Sequence, residues 1–140
     1  MNLIIDSNIL IAAIIRNSIT RKLLFDKRFF YFAPSLILEE TNKYNSMIKE
    51  KTQFSDEEYL FLINSLLKNI TIFQTEKLVP YKEEAYNIIK EIDENDALFI
   101  ATALAIPDSI LWSEDRRLGK QTKVRVITTS ELLDLLKEMQ

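Results

Sequence analysis

The chain has 140 residues, of which 47% are hydrophobic and 10% aromatic, and its formal net charge is −3. These values predict one folded domain over residues 1–140 and exclude a disordered chain. The sequence contains no His and no Cys, which excludes disulfides, a typical zinc site, and Ser-His-Asp or Cys-His catalysis.

Strand-like and helix-like segments alternate along the chain. Continuous apolar runs predict strands at 2–6, 30–33, 70–73, 109–112 and 124–128. Helical periodicity and capping residues predict helices at 7–15, 18–28, 35–51, from 55, at 80–91, at 93–105, in a short basic stretch after 115, and from Thr129 or Ser130 to Met139. The alternation predicts an α/β fold with three α/β/α layers and a central parallel sheet of about five strands.

Four acidic residues stand where a predicted strand ends or a predicted helix begins. Asp6 directly follows the first strand, and Asp115 follows the fourth by three residues. Glu40 and Asp96 fall in the first turns of helices. Because parallel sheets bind ligands at the carboxyl ends of their strands, we expect these side chains to meet at one edge. Carboxylates favour Mg²⁺ or Mn²⁺, so the pattern predicts metal-assisted phosphodiester chemistry.

Two of these acids have structural alternatives. Asp6 also suits the N-cap of the helix at 7–15, a role that needs no chemistry. Glu40 competes with its neighbour Glu39. Glu40 falls on the apolar face of its predicted helix, where an unpaired charge is costly, whereas Glu39 falls on the solvent side. This favours Glu40 for the site.

The other two acids also have neighbours that compete with them. Asp93 precedes Asp96 by three residues, as in a capping box, so we assign Asp93 to the cap and keep contact with a metal as its alternative. Glu114 precedes Asp115, and a capping role for Ser113 accounts for this run equally well.

Two stretches of the chain are basic. Residues 116–125 carry Arg116, Arg117, Lys120, Lys123 and Arg125, and residues 16–28 carry Arg16, Arg21, Lys22, Lys27 and Arg28. These stretches are either solvated helix faces or a pair of phosphate-contacting rims beside the acidic pocket. The acidic pI of about 5.1 argues against an extended polyanion footprint, so any such contact is expected to be local.

The runs NLIIDSNIL, PSLILEET, DENDALFIATALA and ILWSEDRRL resemble the motifs of PIN-domain nucleases, in order and over essentially the whole chain. The chain looks most like small stand-alone prokaryotic PIN proteins, the class that contains VapC-type toxins. The resemblance implies a catalytic cluster of Asp6, Glu40, Asp96 and Asp115, in which Asp6, Asp96 and Asp115 bind metal. It also implies supporting roles for Asn8 and Ser113.

The same resemblance implies an Mg²⁺- or Mn²⁺-dependent endoribonuclease. If the two basic stretches are phosphate-contacting rims, Arg16, Arg116, Arg117 and Lys120 would contact the RNA. The resemblance further implies a homodimer and a small antitoxin protein as partner. A PIN-like module that binds RNA or protein without cutting, and a housekeeping RNA-processing nuclease, stay as alternatives.

Other acidic-site proteins fit the sequence less well. A receiver-like switch needs an acidic pair after strand one, where this chain has Asp6 followed by Ser7 and Asn8, and a haloacid-type phosphatase needs a second Asp in place of Asn8. Met1 leads into the first strand without a basic leader, and no apolar run reaches the roughly 18 residues that a bilayer requires. We therefore expect a cytoplasmic protein with no membrane partner.

Overall fold

The protein is described by a computed structural model that covers residues 1–16 and 18–139. Its strands form one sheet and are β1 (Asn2–Ile5), β2 (Phe30–Pro34), β3 (Ile70–Phe73), β4 (Ser109–Trp112) and β5 (Val126–Ile127). The strand order is β3-β2-β1-β4-β5, and every pairing is parallel. With its flanking helices, this sheet confirms the predicted α/β/α architecture.

The helices occupy most of the chain between the strands. They are α1 (Ser7–Ile15), α2 (Ile19–Leu24), α3 (Leu36–Lys43), α4 (Asn45–Thr52), α5 (Asp56–Leu67), α6 (Thr75–Leu78), α7 (Lys82–Ile89), α8 (Ala97–Ala105) and α9 (Thr129–Glu138). Short 3₁₀ helices lie at Val79–Tyr81, Glu94–Asp96 and Arg116–Lys120. None of the helices in the described ranges is long and apolar enough to cross a membrane.

The central strand and two helices supply much of the core. Leu3, Ile4 and Ile5 of β1 have no exposed surface, as expected for a strand covered on both faces. Helices α1 and α8 are also largely buried, and each begins at the carboxyl edge of the sheet. The register places Ile5 of β1 beside Trp112 of β4. The residues that follow these two strands are therefore neighbours, which brings Asp6 next to Ser113.

Several predicted helices have different bounds in the structure. The helix predicted at 35–51 is two helices, because Tyr44 leaves the helical conformation with φ −102° and ψ 10° and its N–H bonds to the Thr41 carbonyl. The segment around Tyr44 is rich in Asn and Thr, which are weak helix formers. The helix predicted at 18–28 ends at Leu24, and the Asp26 carboxylate then accepts the Arg28 N–H at 2.9 Å in a turn.

Other boundaries shift by smaller amounts. The strand predicted at 124–128 is confined to Val126–Ile127, and the helix predicted at 93–105 begins with the 3₁₀ turn Glu94–Asp96. The helix predicted at 80–91 is α7, which follows the short α6 that the prediction missed. The N-cap of α9 is Thr128 rather than Thr129 or Ser130, because Thr128 forms a capping box with Glu131.

Candidate active site

A cavity of about 240 Å³ opens at the carboxyl edge of β1 and β4. All four acids predicted for the site lie on its wall, together with a fifth: Asp6, Glu40, Asp93, Asp96 and Asp115. They come from segments spread over more than one hundred residues, because the parallel sheet carries the ends of its strands to one edge. Asn8, predicted to support the site, also lines the cavity.

Asp6 has both of the features considered from the sequence. Its Oδ1 accepts the Ile9 N–H at 3.0 Å and caps α1, and its side chain lines the cavity. Burial raises the pKa of Asp6 above its usual value, and the nearby Asp115 and Glu114 charges act in the same direction. A hydrogen bond from the buried Ser113 hydroxyl opposes this shift of the Asp6 pKa, so Ser113 supports the ionised carboxylate.

Glu40 is held by a contact that the sequence did not predict. The Ser7 hydroxyl donates to Glu40 Oε1 at 2.8 Å across 33 residues of chain, fixing the carboxylate on the cavity wall. Glu39 is exposed and does not line the cavity. Ser7 follows Asp6 in the sequence, but its partner depends on how α3 packs beside α1, which no local pattern reveals.

Asp96 has the most perturbed carboxylate of the cavity. Burial and, to a smaller extent, the charges of Asp93, Asp6, Asp115 and Glu40 together raise the pKa of Asp96 to about 7. Asp93 caps the 3₁₀ turn by accepting the Asn95 N–H at 3.1 Å, and it also lines the cavity. The predicted capping role of Asp93 is therefore confirmed, and its side chain lies among the other acids as well.

Asp115 and Glu114 point to different surroundings. Asp115 lines the cavity and caps the 3₁₀ helix that follows it, accepting the Arg117 N–H at 3.0 Å. Hydrogen bonds from the Arg117 side chain hold the pKa of Asp115 below its usual value. Glu114 instead accepts the Thr129 N–H at 2.6 Å, at the start of α9. The cavity wall therefore includes Asp115 and excludes Glu114.

The residues predicted to contact phosphates are dispersed. Arg117 lies on the cavity wall itself, paired with acids, while Arg116 and Lys120 are exposed on the same 3₁₀ helix. Arg16 is the C-cap of α1, ten residues after its N-cap Asp6, or about 15 Å along the helix at 1.5 Å per residue, and it does not line the cavity. The structure therefore does not bring Arg16 to the cavity.

Other side chains of the second basic stretch serve structural contacts. Arg21 donates to the Ala13 and Ile14 carbonyls at 2.7 and 2.9 Å, closing the last turn of α1. Arg28 pairs with Asp26 at 2.6 Å, just before β2 begins at the opposite edge of the sheet. Of the two basic stretches, only residues 116–125 contribute a side chain to the cavity wall, that of Arg117.

The donor atoms of the cavity suit a hard divalent cation, since five carboxylates supply oxygen ligands and repel one another without one. As the side chains are placed, no three Asp or Glu residues in the described ranges lie close enough together to hold a metal ion. Asp93 and Asp115 are instead turned towards Arg117. The cavity therefore fits Mg²⁺ or Mn²⁺ in chemistry, and a bound cation requires these side chains to reorient or water to bridge them.

A five-stranded parallel sheet with an acidic cavity at its carboxyl edge defines an α/β protein with a candidate site for metal-assisted catalysis. The chain matches the family model described as PIN domain over residues 4–136, so it belongs to the PIN domain family. No curated protein sequence matches it.

Solved structures share the fold. The chain is similar to a chain in the crystal structure of VapBC2 from Rickettsia felis bound to a DNA fragment from their promoter, with 20% identity, a TM-score of 0.68, and coverage of 91% of this chain and 98% of that one. It is also similar to PAE2754 from Pyrobaculum aerophilum, with 17% identity, a TM-score of 0.63, and coverage of 99% and 90%. At these identities the likeness concerns the fold.

Proposed function

We propose that this protein is a divalent-metal-dependent endoribonuclease that hydrolyses RNA phosphodiester bonds at the acidic cavity. The observation that carries the proposal is the meeting of all four motif acids on one cavity wall, where burial and the acidic neighbours raise the pKa of Asp96 to about 7. PIN domains are generally nucleases, and family membership supports hydrolase activity at this site.

The proposed metal ligands are Asp6, Asp96 and Asp115, while Glu40 binds through water or orients the attacking water. When bound, Mg²⁺ or Mn²⁺ supplies an activated water and neutralises charge that develops on the phosphoryl oxygens. The chain positions these carboxylates through two hydroxyl groups. Ser7 donates to Glu40, and Ser113 donates to Asp6. Attack by water leaves a 3′-hydroxyl and a 5′-phosphate.

The proposed RNA path runs over the rim beside the cavity. Arg116 and Lys120 are exposed and form no ion pair with a carboxylate of the described residues, so both are available to phosphates. Tyr44 also lines the cavity, with 48% of its surface exposed at the junction of α3 and α4. Its ring offers a stacking surface for a base next to the cleaved bond.

We further propose that the protein is the toxin of a toxin–antitoxin pair in the cytoplasm. The fold likeness to a chain of the VapBC2 complex supports a small antitoxin as partner. The homodimer implied by the family resemblance needs an apolar surface, and α5 offers one where Phe61 is 77% exposed beside the half-exposed Leu60. Light scattering of the wild type and Phe61→Glu tests dimerisation through α5, with a dimer expected only for the wild type.

The activity is tested with a labelled single-stranded RNA pool in Mg²⁺, Mn²⁺ or EDTA. The wild type, Asp6→Asn and Asp96→Asn are compared after circular dichroism has shown that all three are folded. We expect cutting by the wild type that requires metal and is lost in both variants. Cutting that survives both substitutions would reject the site. Metal binding by a folded wild type without cutting of any RNA would favour a binding module instead.

A further inference from the structure

One positively charged side chain lies among the five carboxylates of the cavity. The Asp115 cap starts the 3₁₀ helix Arg116–Lys120, and this turn carries the Arg117 guanidinium back over the same carboxylate. Arg117 Nε lies 3.0 Å from Asp115 Oδ1, and Nη2 lies 2.7 Å from Oδ2. This is the two-point contact that arginine makes with carboxylates, and it is stronger than a single hydrogen bond.

The same guanidinium reaches a second acid of the cavity. Arg117 Nη2 lies 3.4 Å from Asp93 Oδ2, which belongs to the turn before α8, 24 residues earlier in the chain. Arg117 therefore bridges the segments that follow β4 and precede α8. Neither Asp6 nor Asp96 forms an ion pair with a basic side chain of the described residues.

This pairing occupies the oxygen atoms that a metal needs. A carboxylate oxygen that accepts a hydrogen bond from a guanidinium presents less of its lone-pair density to a cation, and the positive charge repels a second cation nearby. The contacts with Arg117 also turn Asp93 and Asp115 towards the guanidinium, away from a shared metal position.

We propose that Arg117 is an internal competitor of the divalent cation, which binds only when the guanidinium leaves Asp115 and Asp93. The inference rests on the proposed function, because it assumes that the cavity takes a metal. The Arg117 side chain is 56% exposed, so it can move away without unpacking the core. Arginine is a permanent cation, and its competition with the metal therefore does not depend on its own protonation.

The neighbouring residue offers a matched control. Arg116 carries the same charge on the same 3₁₀ helix, is exposed, and forms no ion pair with a carboxylate of the described residues. Arg116→Gln and Arg117→Gln each remove one positive charge from the same turn of this 3₁₀ helix. Only the substitution at 117 also frees the two carboxylates.

Isothermal titration of Mn²⁺ into RNA-free protein tests the inference with wild type, Arg117→Gln, Arg116→Gln and Asp6→Asn. We expect Arg117→Gln to bind Mn²⁺ about fivefold more tightly than wild type, the upper range for an exposed ion pair. Arg116→Gln should change the affinity less than about twofold, because its long-range effect is screened by salt. Arg117→Lys, which keeps the charge without the fork, should lie between wild type and Arg117→Gln.

The outcomes separate this inference from the proposed function. Binding that is lost in Asp6→Asn but equal or weaker in Arg117→Gln would keep the metal site and overturn the competitor. Equal tightening in Arg116→Gln and Arg117→Gln would also overturn it, because bulk charge would then be the cause. No Mn²⁺ binding by folded wild type or Arg117→Gln would overturn the metal site and the competitor together. If Arg117→Gln does not fold, Arg117→Lys decides by the same comparison.

Discussion

Charged side chains make different kinds of contact at the two edges of the sheet. At the amino edge and at the far end of α1, Arg28 pairs with Asp26 and Arg21 closes the last turn of the helix. At the carboxyl edge, five carboxylates share one cavity, and Arg117 is the positively charged residue on its wall. Charges at the first edge are used to complete local structure, whereas those at the second are held close together against their own repulsion.

This difference has a physical meaning. Buried or crowded acids destabilise a fold unless a cation or a hydrogen bond compensates them, and the raised pKa values of Asp6 and Asp96 report that compensation is incomplete. A fold that tolerates such a cluster can gain from it when a divalent cation binds. The acids at the carboxyl edge are thus expected to lower stability while providing a site for a cation. The charged residues at the amino edge are expected to stabilise the fold.

Neighbouring acids at the carboxyl edge give the largest expected effect. Glu40→Gln and Asp115→Asn alter the cavity, whereas Glu39→Gln and Glu114→Gln alter the adjacent residues outside it. We expect cleavage to fall on the order of 10²-fold or more for the first two, because each removes charge from a metal site. Initial rates at saturating Mn²⁺ should leave Glu39→Gln and Glu114→Gln near wild type. If Glu39→Gln lost as much activity as Glu40→Gln, the assignment of Glu40 to the site would be rejected. The same holds for Asp115 if Glu114→Gln lost as much as Asp115→Asn.

The amino edge is tested by stability rather than by activity. Arg21→Met removes two hydrogen bonds to the last-turn carbonyls of α1 and should lower the free energy of unfolding by about 1.5–3 kcal/mol. Arg28→Met breaks only the exposed pair with Asp26 and should lower the free energy of unfolding much less than Arg21→Met does. Urea denaturation measures both. Cleavage by folded Arg21→Met should match wild type, and a selective loss of turnover would contradict a purely structural role.

Tyr44, on the wall of the cavity at the carboxyl edge, is expected to affect substrate binding. Tyr44→Ala should raise the KM for RNA about fivefold with little change in kcat, the lower range for loss of one stacked base. Tyr86 on α7 is a matched control, since it is 46% exposed against 48% for Tyr44 and does not line the cavity. Tyr44→Phe keeps the ring and should keep the KM. Similar KM values for the two Ala variants would remove Tyr44 from the RNA path.

The crowding of acids also predicts a pH dependence of the metal-free protein. Burial and neighbouring charges raise the pKa of Asp96 from 3.8 to about 7, so the folded state binds this proton more tightly than the unfolded state. Stability in EDTA should therefore fall as pH rises between about 4 and 7, and Asp96→Asn should flatten this fall. Denaturant midpoints at several pH values measure it. A stability that rises with pH in the wild type over this window would contradict the raised pKa.

Much of the site was predictable because it is local in sequence. Asp6 and Asp115 follow strands that apolar runs reveal, and a parallel sheet then carries both to one edge. The choice of Glu40 over Glu39 followed from helical periodicity, although the helix itself breaks four residues later at Tyr44. These features depend on a few neighbouring residues, which a sequence displays directly.

The contacts that the sequence did not reveal join distant segments. The Ser7 bond to Glu40 and the Arg117 bond to Asp93 span 33 and 24 residues. Arg117 was predicted to contact phosphate from its charge alone, and its pairing with acids depends on the turn that Asp115 starts. Such pairings arise from the packing of helices on the sheet, which periodicity and spacing do not determine.

The most direct test of the central claim is the anomalous scattering of crystals grown with Mn²⁺. We expect a manganese peak in the cavity, in contact with Asp6 and Asp96, with the Arg117 guanidinium moved away from Asp115. Well-ordered cavity side chains without a manganese peak, or manganese peaks only elsewhere on the protein, would contradict the assignment of this acidic edge as the metal site.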